Sequence, residues 1–265
     1  MNIRHLIAIL LATLILNSCA TSPEGRKQLR LISSSEMNSM GAQSFEQIKA
    51  ETTISNKAAV NAYIQCIADA IIPQLGADND PANWEVVVFD EPQANAFALP
   101  GNKIGVYTGL LQFAVNQHQV ATVMGHEVAH VIAEHGNERV SSQIVSQAGL
   151  TLAAIALGQD SEKDALILAG LGLGVQYGLV LPFSRAHESE ADLIGLDLMA
   201  KAGFDPAESI PLWQNMATAG ASPPEFMSTH PSSDTRIRDL SGRMARAQAF
   251  QQEAHAAGRK PNCRL

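Results

Sequence analysis

The chain has 265 residues, of which 46% are hydrophobic and 17% charged, so it is long and apolar enough to bury one full-sized core. Its formal net charge of -8 at pH 7 argues against nucleic acid as a partner, because nucleic-acid-binding domains are typically basic. No internal repeat has a period typical of solenoid proteins. These features predict a globular protein with a single main domain.

The first 18 residues predict a bacterial lipoprotein signal peptide. Arg4 supplies a positive charge, Leu6 to Leu16 is an apolar stretch too short to span a bilayer, and the residues that end at Cys19 resemble a lipobox. This resemblance implies cleavage before Cys19 and a diacylglycerol group on its sulfur. The alternative is an ordinary signal peptide that is cut near Ala20. Ala20 is similar to the residue that follows the lipid-bearing cysteine in lipoproteins sorted to the outer membrane rather than the inner one.

The rest of the chain divides into three predicted parts. Residues 19–35 are polar, contain Pro23 and Gly25, and predict a tether. Residues 36–258 predict one domain, and residues 259–265 form a C-terminal tail.

Local patterns within residues 36–258 predict an α+β domain that is mostly helical. β-rich runs at Trp84–Phe89, Asn95–Leu99 and Lys103–Tyr107 predict a small antiparallel sheet. Capping patterns predict helices that begin near Ser33, Asn116, Ser184, Asp205 and Ser232.

Two apolar stretches, at 148–157 and 165–181, allow two interpretations. One is a transmembrane hairpin, and the other is a pair of buried helices near the active site. The sequence favours buried helices, because each stretch is short for a bilayer and the second contains several glycines.

The most informative motif is His126-Glu127-Val-Ala-His130, which lies in an apolar run just before Gly136, where we expect the helix to end. On a helix, residues four apart share a face, so both imidazoles can bind one metal ion. Two histidines and a carboxylate suit Zn²⁺ and leave a position for water, whose proton Glu127 can accept as the water attacks a carbonyl. This is the H-E-x-x-H signature of metalloproteases.

The third ligand is expected in Glu188-Ser-Glu190-Ala-Asp192. Glu188 and Asp192 share a helical face, so one carboxylate can bind zinc while the other accepts a hydrogen bond from a ligating histidine. The alternative is a solvated, charged helix start. Ala133 and Gly136 stand where a metzincin needs Gly and His, which excludes that class. His135 is best explained as a cation at the helix end.

These motifs, with Asn95-Ala-Phe97 and Gly105-Val-Tyr-Thr-Gly109 upstream, resemble the HtpX/LoiP/BepA-like zinc metallopeptidases. That family is related to the CAAX prenyl endopeptidases and to the mitochondrial inner-membrane quality-control peptidase. The residues Gly25 to Leu29 resemble its lipoprotein branch.

The resemblance implies a zincin-like fold and one Zn²⁺ per chain, bound by His126, His130 and Glu188. It further implies Glu127 as general base and Asp192 as the acid behind the ligands. His230-Pro231 resembles the family's H-P loop near the metal, so His230 is expected either to donate to an oxyanion or to occupy the open zinc position at rest. Arg236 would supply a fixed positive charge there. A loop histidine without such a role is the remaining alternative.

The function predicted from this pattern is that of a lipid-anchored periplasmic zinc endopeptidase, on the outer membrane, acting on misfolded or stalled envelope proteins. Such substrates would bind as an extended strand along Asn95, Ala96 and Phe97 to Leu99, because backbone pairing tolerates any sequence. An interior strand with no open edge is the alternative.

Two other functions stay open. One is a non-proteolytic assembly factor or chaperone with a structural zinc site, and the other is a metallohydrolase of small molecules. Cys66 and Cys263 form a disulfide in the oxidising periplasm, or Cys66 is a buried apolar residue and Cys263 a free thiol.

Overall fold

The computed structural model describes residues 19–76, 79–156, 183–217, 225–230 and 235–265. The predicted signal peptide, the second apolar stretch at 165–181 and the predicted helix start at Ser232 lie outside these residues. The helices are α1 (Ser34–Glu51), α2 (Ala58–Ile71), α3 (Gln117–Ile132), α4 (His135–Ala156), α5 (Arg185–Lys201), α6 (Ser209–Ala217), α7 (Glu225–Thr229) and α8 (Arg236–Ala256). The strands are β1 (Cys19–Thr21), β2 (Lys27–Leu29), β3 (Glu85–Phe89), β4 (Ala96–Leu99) and β5 (Lys103–Tyr107). The α+β, mostly helical class is thus confirmed.

The described residues fall into two compact units. One contains residues 19–36 and 134–156, and the other contains residues 37–133 together with the described residues between 183 and 265. Of the described residues, no helix combines the length and the apolar character that crossing a membrane requires.

In the first unit, the residues predicted as a tether are folded. Strands β1 and β2 pair as an antiparallel hairpin in which Cys19 lies opposite Leu29. The Arg26 guanidinium donates two hydrogen bonds of 2.6 Å to the Glu138 carboxylate on α4, and Arg30 pairs with Glu134. The polar composition that predicted a tether therefore supplies the ion pairs that hold the hairpin to α4.

In the second unit, the sheet has the strand order β3-β5-β4. Strands β4 and β5 form the predicted antiparallel hairpin, but β3 pairs with β5 in parallel, so the sheet is mixed rather than antiparallel throughout. The reason is that the chain reverses direction twice, once before β4 and once at Gly101, before β5 enters the middle of the sheet. Strand β4 is therefore an edge strand.

Helix α3 begins as its sequence predicts and ends earlier. The Asn116 side-chain oxygen accepts hydrogen bonds from the backbone N–H groups of His118 and Gln119, and Gln119 accepts from Val115. The helix ends at Ile132, and Glu134 takes the left-handed conformation with φ of 51°. The expectation that Gly136 ends this helix, with His135 as a cation at its end, is wrong. Both residues lie in the first turn of α4, and His135 is buried.

The main helix packing of the second unit is between α3 and α5, which cross at Gly125 and Gly195. A methyl group built on Gly195 would lie 2.7 Å from the backbone nitrogen of His126. Glycine at the crossing therefore lets the two backbones approach more closely than any side chain would allow.

A disulfide joins Cys66 on α2 to Cys263, so the C-terminal tail is held in place. The Cys263 N–H donates to the Gln117 side-chain oxygen at 2.8 Å, and the Gln117 amide donates to the Pro261 carbonyl at 3.2 Å. Of the two alternatives for these cysteines, the disulfide is present. The C-terminal tail that it holds contacts Gln117, the first residue of α3.

Candidate metal centre

Helix α3 supplies two histidines and a glutamate to a buried cluster. His126, Glu127 and His130 are each no more than 3% exposed. The Nε2 atoms of His126 and His130 lie 3.1 Å apart, as expected for residues four apart on one face. The sequence therefore predicted this pair correctly from spacing alone.

Helix α5 brings its carboxylates to the same place. Ser184 caps the helix by accepting a hydrogen bond from the His187 N–H, and one turn later Glu188 is fully buried. Its carboxylate oxygens lie 3.5 Å from His126 Nε2 and 3.4 Å from His130 Nε2. Glu190 is also buried but is not part of the cluster.

His230 completes the cluster from a distant part of the sequence. It follows α7 directly, and its Nδ1 lies 3.2 Å from His126 Nε2 and 3.1 Å from Glu188 Oε1. His126, His130, Glu188 and His230 thus form the one group in the described residues that could hold a metal ion. His230 offers its Nδ1 as a fourth ligand atom, which agrees with the resting-ligand hypothesis.

The geometry of the nitrogen atoms fits a cation. His126 Nε2 lies 3.1 Å from His130 Nε2 and 3.2 Å from His230 Nδ1, and the Glu188 carboxylate lies 3.1–3.5 Å from all three rings. One ligand atom of each of the four groups lies within 4.8 Å of the others, so a divalent metal ion could bind all four at once.

Asp192 lies behind the cluster, in the position that the family resemblance implies. Its Oδ1 is 2.9 Å from His126 Nδ1, the ring nitrogen that faces away from the cluster. A carboxylate in this position fixes the tautomer and the ring orientation of a metal-binding histidine.

Arg236 has a different place from the one expected. Its Nε donates to Asp192 Oδ2 and its Nη2 to Glu188 Oε2, both at 2.6 Å, and its guanidinium carbon lies 3.9 Å from the centre of the Trp213 ring. Two buried carboxylates need a counter-charge, and the planar guanidinium can serve both. Arg236 therefore holds the carboxylates instead of facing an oxyanion.

Electrostatics favour a positive charge inside the cluster. Burial lowers the pKa of His126, but hydrogen bonds to Asp192 and Glu188 outweigh it and raise this pKa to about 10. Burial holds the pKa of His130 well below its usual value, so this ring stays neutral, as a metal ligand must be. Burial opposes ionisation of Glu188, yet hydrogen bonds from the three histidines lower its pKa far below the ordinary value.

Glu127 stands apart from the four ligand atoms. Its Oε1 lies 3.4 Å from His230 Nε2 and accepts no hydrogen bond within the described part of the chain. The Ala98 N–H of strand β4 also donates to the Glu127 carboxylate, while burial raises the pKa of this group. A buried carboxylate with a raised pKa is suited to accept a proton near neutral pH.

Strand β4, predicted to bind substrate, lies at the edge of the sheet beside α3. The Tyr107 N–H donates to the Asn95 carbonyl, so Asn95 and Phe97 pair with β5, and by the alternation of an antiparallel ladder Ala96 and Ala98 direct their backbone groups away from β5. The Ala94 carbonyl accepts a hydrogen bond from the Phe226 N–H.

Aromatic side chains around the cluster were missed in the sequence. Phe183 stacks on His130 with 3.9 Å between ring centres, and Phe226 stacks on His230 at 4.4 Å. Trp213 meets His126 edge-on at 5.6 Å. In the sequence, the one indication that an aromatic ring lies near the cluster was the position of Phe183 directly before the Ser184 cap.

Comparison with known proteins places these residues in a family context. The model of Peptidase family M48 matches residues 58–244. The mitochondrial metalloendopeptidase OMA1 of Schizosaccharomyces pombe is 36% identical over 189 residues, which cover 70% of this chain and 53% of that protein. The OMA1 of Saccharomyces cerevisiae is 35% identical over 201 residues, covering 71% and 56%.

A bacterial relative matches over more of the chain. The beta-barrel assembly-enhancing protease of Escherichia coli K12 is 27% identical over 258 residues, which cover 91% of this chain and 52% of that protein. The chain thus spans about half the length of these curated relatives.

Proposed function

The chain belongs to peptidase family M48, and on this premise we propose that it is a zinc-dependent endopeptidase that hydrolyses peptide bonds of misfolded or stalled envelope proteins. The observation that carries the proposal is the buried group of His126, His130, Glu188 and His230 with Glu127 beside it. The names of the relatives, metalloendopeptidase and protease, support the activity.

Zn²⁺ suits these ligands best, because imidazoles and a carboxylate are its usual donors. Bonds of about 2.0–2.1 Å in a tetrahedral site separate ligand atoms by roughly 3.3 Å. The contacts that His126 Nε2 makes with its neighbours, 3.1 to 3.5 Å, are close to that spacing. When bound, zinc would act as a Lewis acid and lower the pKa of a neighbouring water.

Glu127 is proposed as the general base. Its free Oε1 can accept a proton from the attacking water, and the Ala98 N–H keeps the carboxylate oriented. Asp192 and Arg236 are positioning residues. Asp192 fixes the ring of His126, and Arg236 fixes the carboxylate of Glu188.

His230 is proposed to hold the enzyme latent by occupying the fourth ligand position at rest. Its Nδ1 points into the cluster and its Nε2 towards Glu127, so it lies where water and a scissile carbonyl would have to enter. His230→Ala should therefore raise peptide turnover, because it opens that position. A lower kcat with KM little changed would instead support the oxyanion-donor role.

Substrate is proposed to add as a strand beside Asn95, Ala96 and Phe97. Support comes from the position of β4 at the edge of the sheet, with the backbone groups of Ala96 facing away from β5, because main-chain pairing suits substrates of many sequences. The hydrogen bond from Ala98 to Glu127 links this strand directly to the base.

The protein is proposed to work on the periplasmic side of the bacterial outer membrane, anchored by lipid on Cys19. Support comes from the lipobox-like residues before Cys19 and from the name of the bacterial relative, a beta-barrel assembly-enhancing protease. Because Cys19 is the first residue of the β1 hairpin, the anchor would attach directly to folded protein.

One observation favours the second candidate, a non-proteolytic assembly factor. With His230 the cluster offers four protein ligands, and closed four-ligand sites are typical of structural zinc. An enzyme needs Glu127 as a base, whereas a structural site does not.

Glu127→Gln separates the two candidates. We expect it to lower kcat/KM for casein by about 10²–10⁴-fold, the usual worth of a general base, with zinc content unchanged. Rescue of an envelope-stress phenotype should be lost in parallel. Glu190→Gln, another buried glutamate that is not part of the cluster, is the matched control. If Glu127→Gln still rescues in full, the assembly-factor function is correct.

A further inference from the structure

Phe183 contacts two of the four proposed ligands with one ring. Its ring is nearly parallel to that of His130, with 3.9 Å between centres and 26° between planes. It is also inclined by 31° to the ring of His230 at 5.3 Å. Helix spacing does not explain these contacts, because Phe183, His130 and His230 lie on three different segments of the chain.

The backbone of Phe183 adds a third connection. Its N–H donates to the carbonyl of Thr229, the residue before His230, at 3.1 Å. Phe183 also directly precedes Ser184, the cap of the helix that carries Glu188. One residue is therefore joined to all three segments that bring ligands to the cluster.

A metal-binding imidazole must direct the lone pair of its nitrogen at the ion, and this direction lies in the plane of the ring. Rotation about the last side-chain bond of histidine has a broad energy well, so the plane is not fixed by the side chain itself. A phenyl ring stacked on the imidazole face restricts this rotation. For His126 the Asp192 carboxylate does the same work, since its Oδ1 lies 2.9 Å from the Nδ1 of that ring.

We propose that Phe183 is a positioning residue that holds the rings of His130 and His230 in their metal-binding orientation. This inference rests on the proposed zinc site. In this role the Phe183 ring orients His130 and His230 as the Asp192 carboxylate orients His126. Because Phe183 directly precedes the Ser184 cap, the start of α5 is then coupled to the position of His230.

The test compares Phe183→Leu and Phe183→Met, which remove the ring, with Phe183→Tyr, which keeps it. Zinc affinity is measured by competition with a chelator, and the ligand set by the visible absorption of the Co²⁺-substituted protein. Loss of the ring should weaken zinc about three- to tenfold, the factor that aromatic pair energies correspond to. It should also change the Co²⁺ spectrum towards that of His230→Ala. Phe183→Tyr should retain both properties of the wild type.

Phe204→Leu is the matched control, because Phe204 is a fully buried phenylalanine whose ring meets His118, a histidine outside the cluster. It should lower stability without changing zinc affinity or the Co²⁺ spectrum. The inference is overturned if Phe183→Leu and Phe183→Met bind zinc like the wild type, or if Phe183→Tyr is as weak as they are. Wild-type protein that binds no zinc would instead refute the proposed function.

Discussion

The two ends of helix α3 use the same residue types for different purposes. At the start, Glu208 accepts hydrogen bonds from the side chains of Asn116 and Gln119, and His118 accepts one from the Asp205 N–H. Further along, His126 lies 3.1 Å from His130 and 3.2 Å from His230, and Glu188 lies 3.4–3.5 Å from both histidines of the helix. Both clusters combine histidine with glutamate on or next to one helix.

The difference lies in how many ligand atoms meet in one place. At the start of α3, donors and acceptors are paired, and the hydrogen bonds from Asn116 and Gln119 lower the pKa of Glu208 below its usual value. In the second cluster, three imidazoles and a carboxylate each present a ligand atom within 4.8 Å of the others. Several ligand atoms that converge in a buried place indicate a metal site, and residue type alone does not.

The sharpest test of this comparison exchanges one carboxylate for an amide in each cluster. Glu188→Gln should lose bound zinc and nearly all peptidase activity, because it removes a ligand and leaves Arg236 without one of its two buried partners. Glu208→Gln should keep both, since its partners are neutral amides that an amide oxygen can also accept from. Metal analysis of the purified variants checks this, and zinc loss from Glu208→Gln would break the distinction between the two ends.

A smaller effect on zinc affinity is expected from Asp192, which lies behind the ligands. Asp192→Asn should weaken zinc binding by about 10–100-fold, because an amide does not stabilise the correct tautomer of His126 as a carboxylate does. Asp197→Asn is the control on the same helix, since Asp197 is also buried but bonds to Arg243. Chelator competition measures both variants, and equal affinities would show that Asp192 has only a structural role.

The crossing of α3 and α5 holds the two ligand-bearing helices together. Gly195→Ala should lower the free energy of unfolding by about 1–3 kcal/mol, because the methyl group would overlap the His126 backbone. Gly242→Ala, on α8 with no neighbouring atom within 4 Å, should raise it by about 0.5–1 kcal/mol. Denaturant unfolding of zinc-free protein gives both values, and a stability gain for Gly195→Ala would contradict the close approach.

The smallest effect, on stability alone, is expected at the N-terminal end of α3. Asn116→Ala should cost about 1 kcal/mol of stability, because two backbone N–H groups lose their cap. Zinc affinity and kcat/KM should stay at wild-type values. Thermal unfolding and a casein assay measure the two effects, and a loss of zinc would mean that the ends of α3 are coupled.

Capping predicted where α3 and α5 begin, and spacing grouped His126, Glu127 and His130 on one and Glu188 and Asp192 on the other. The distance of four residues fixes a shared helical face, so His126 with His130 and Glu188 with Asp192 follow from helix geometry. The placement of His230 came from the family resemblance, because no local rule links residues 104 positions apart.

Other features depend on tertiary structure that a local pattern does not encode. The parallel pairing of β3 with β5 follows from where the chain inserts β5, and no strand propensity specifies it. Arg236 was placed near the metal by the family resemblance, and its two partners, the carboxylates of Asp192 and Glu188, are contacts that no local pattern predicts. The hairpin at 19–29 was missed for a similar reason, since its charged partners lie on α4.

The disulfide between Cys66 and Cys263 closes a covalent ring between residues 197 positions apart, and every proposed ligand lies inside it. A single cut of the backbone anywhere in that ring, whether by another protease or by a second copy of this chain, produces two fragments that stay covalently joined. The ligands from α3, α5 and the residue after α7 would then remain in one molecule. Such a nicked protein would run as one species until its disulfide is reduced.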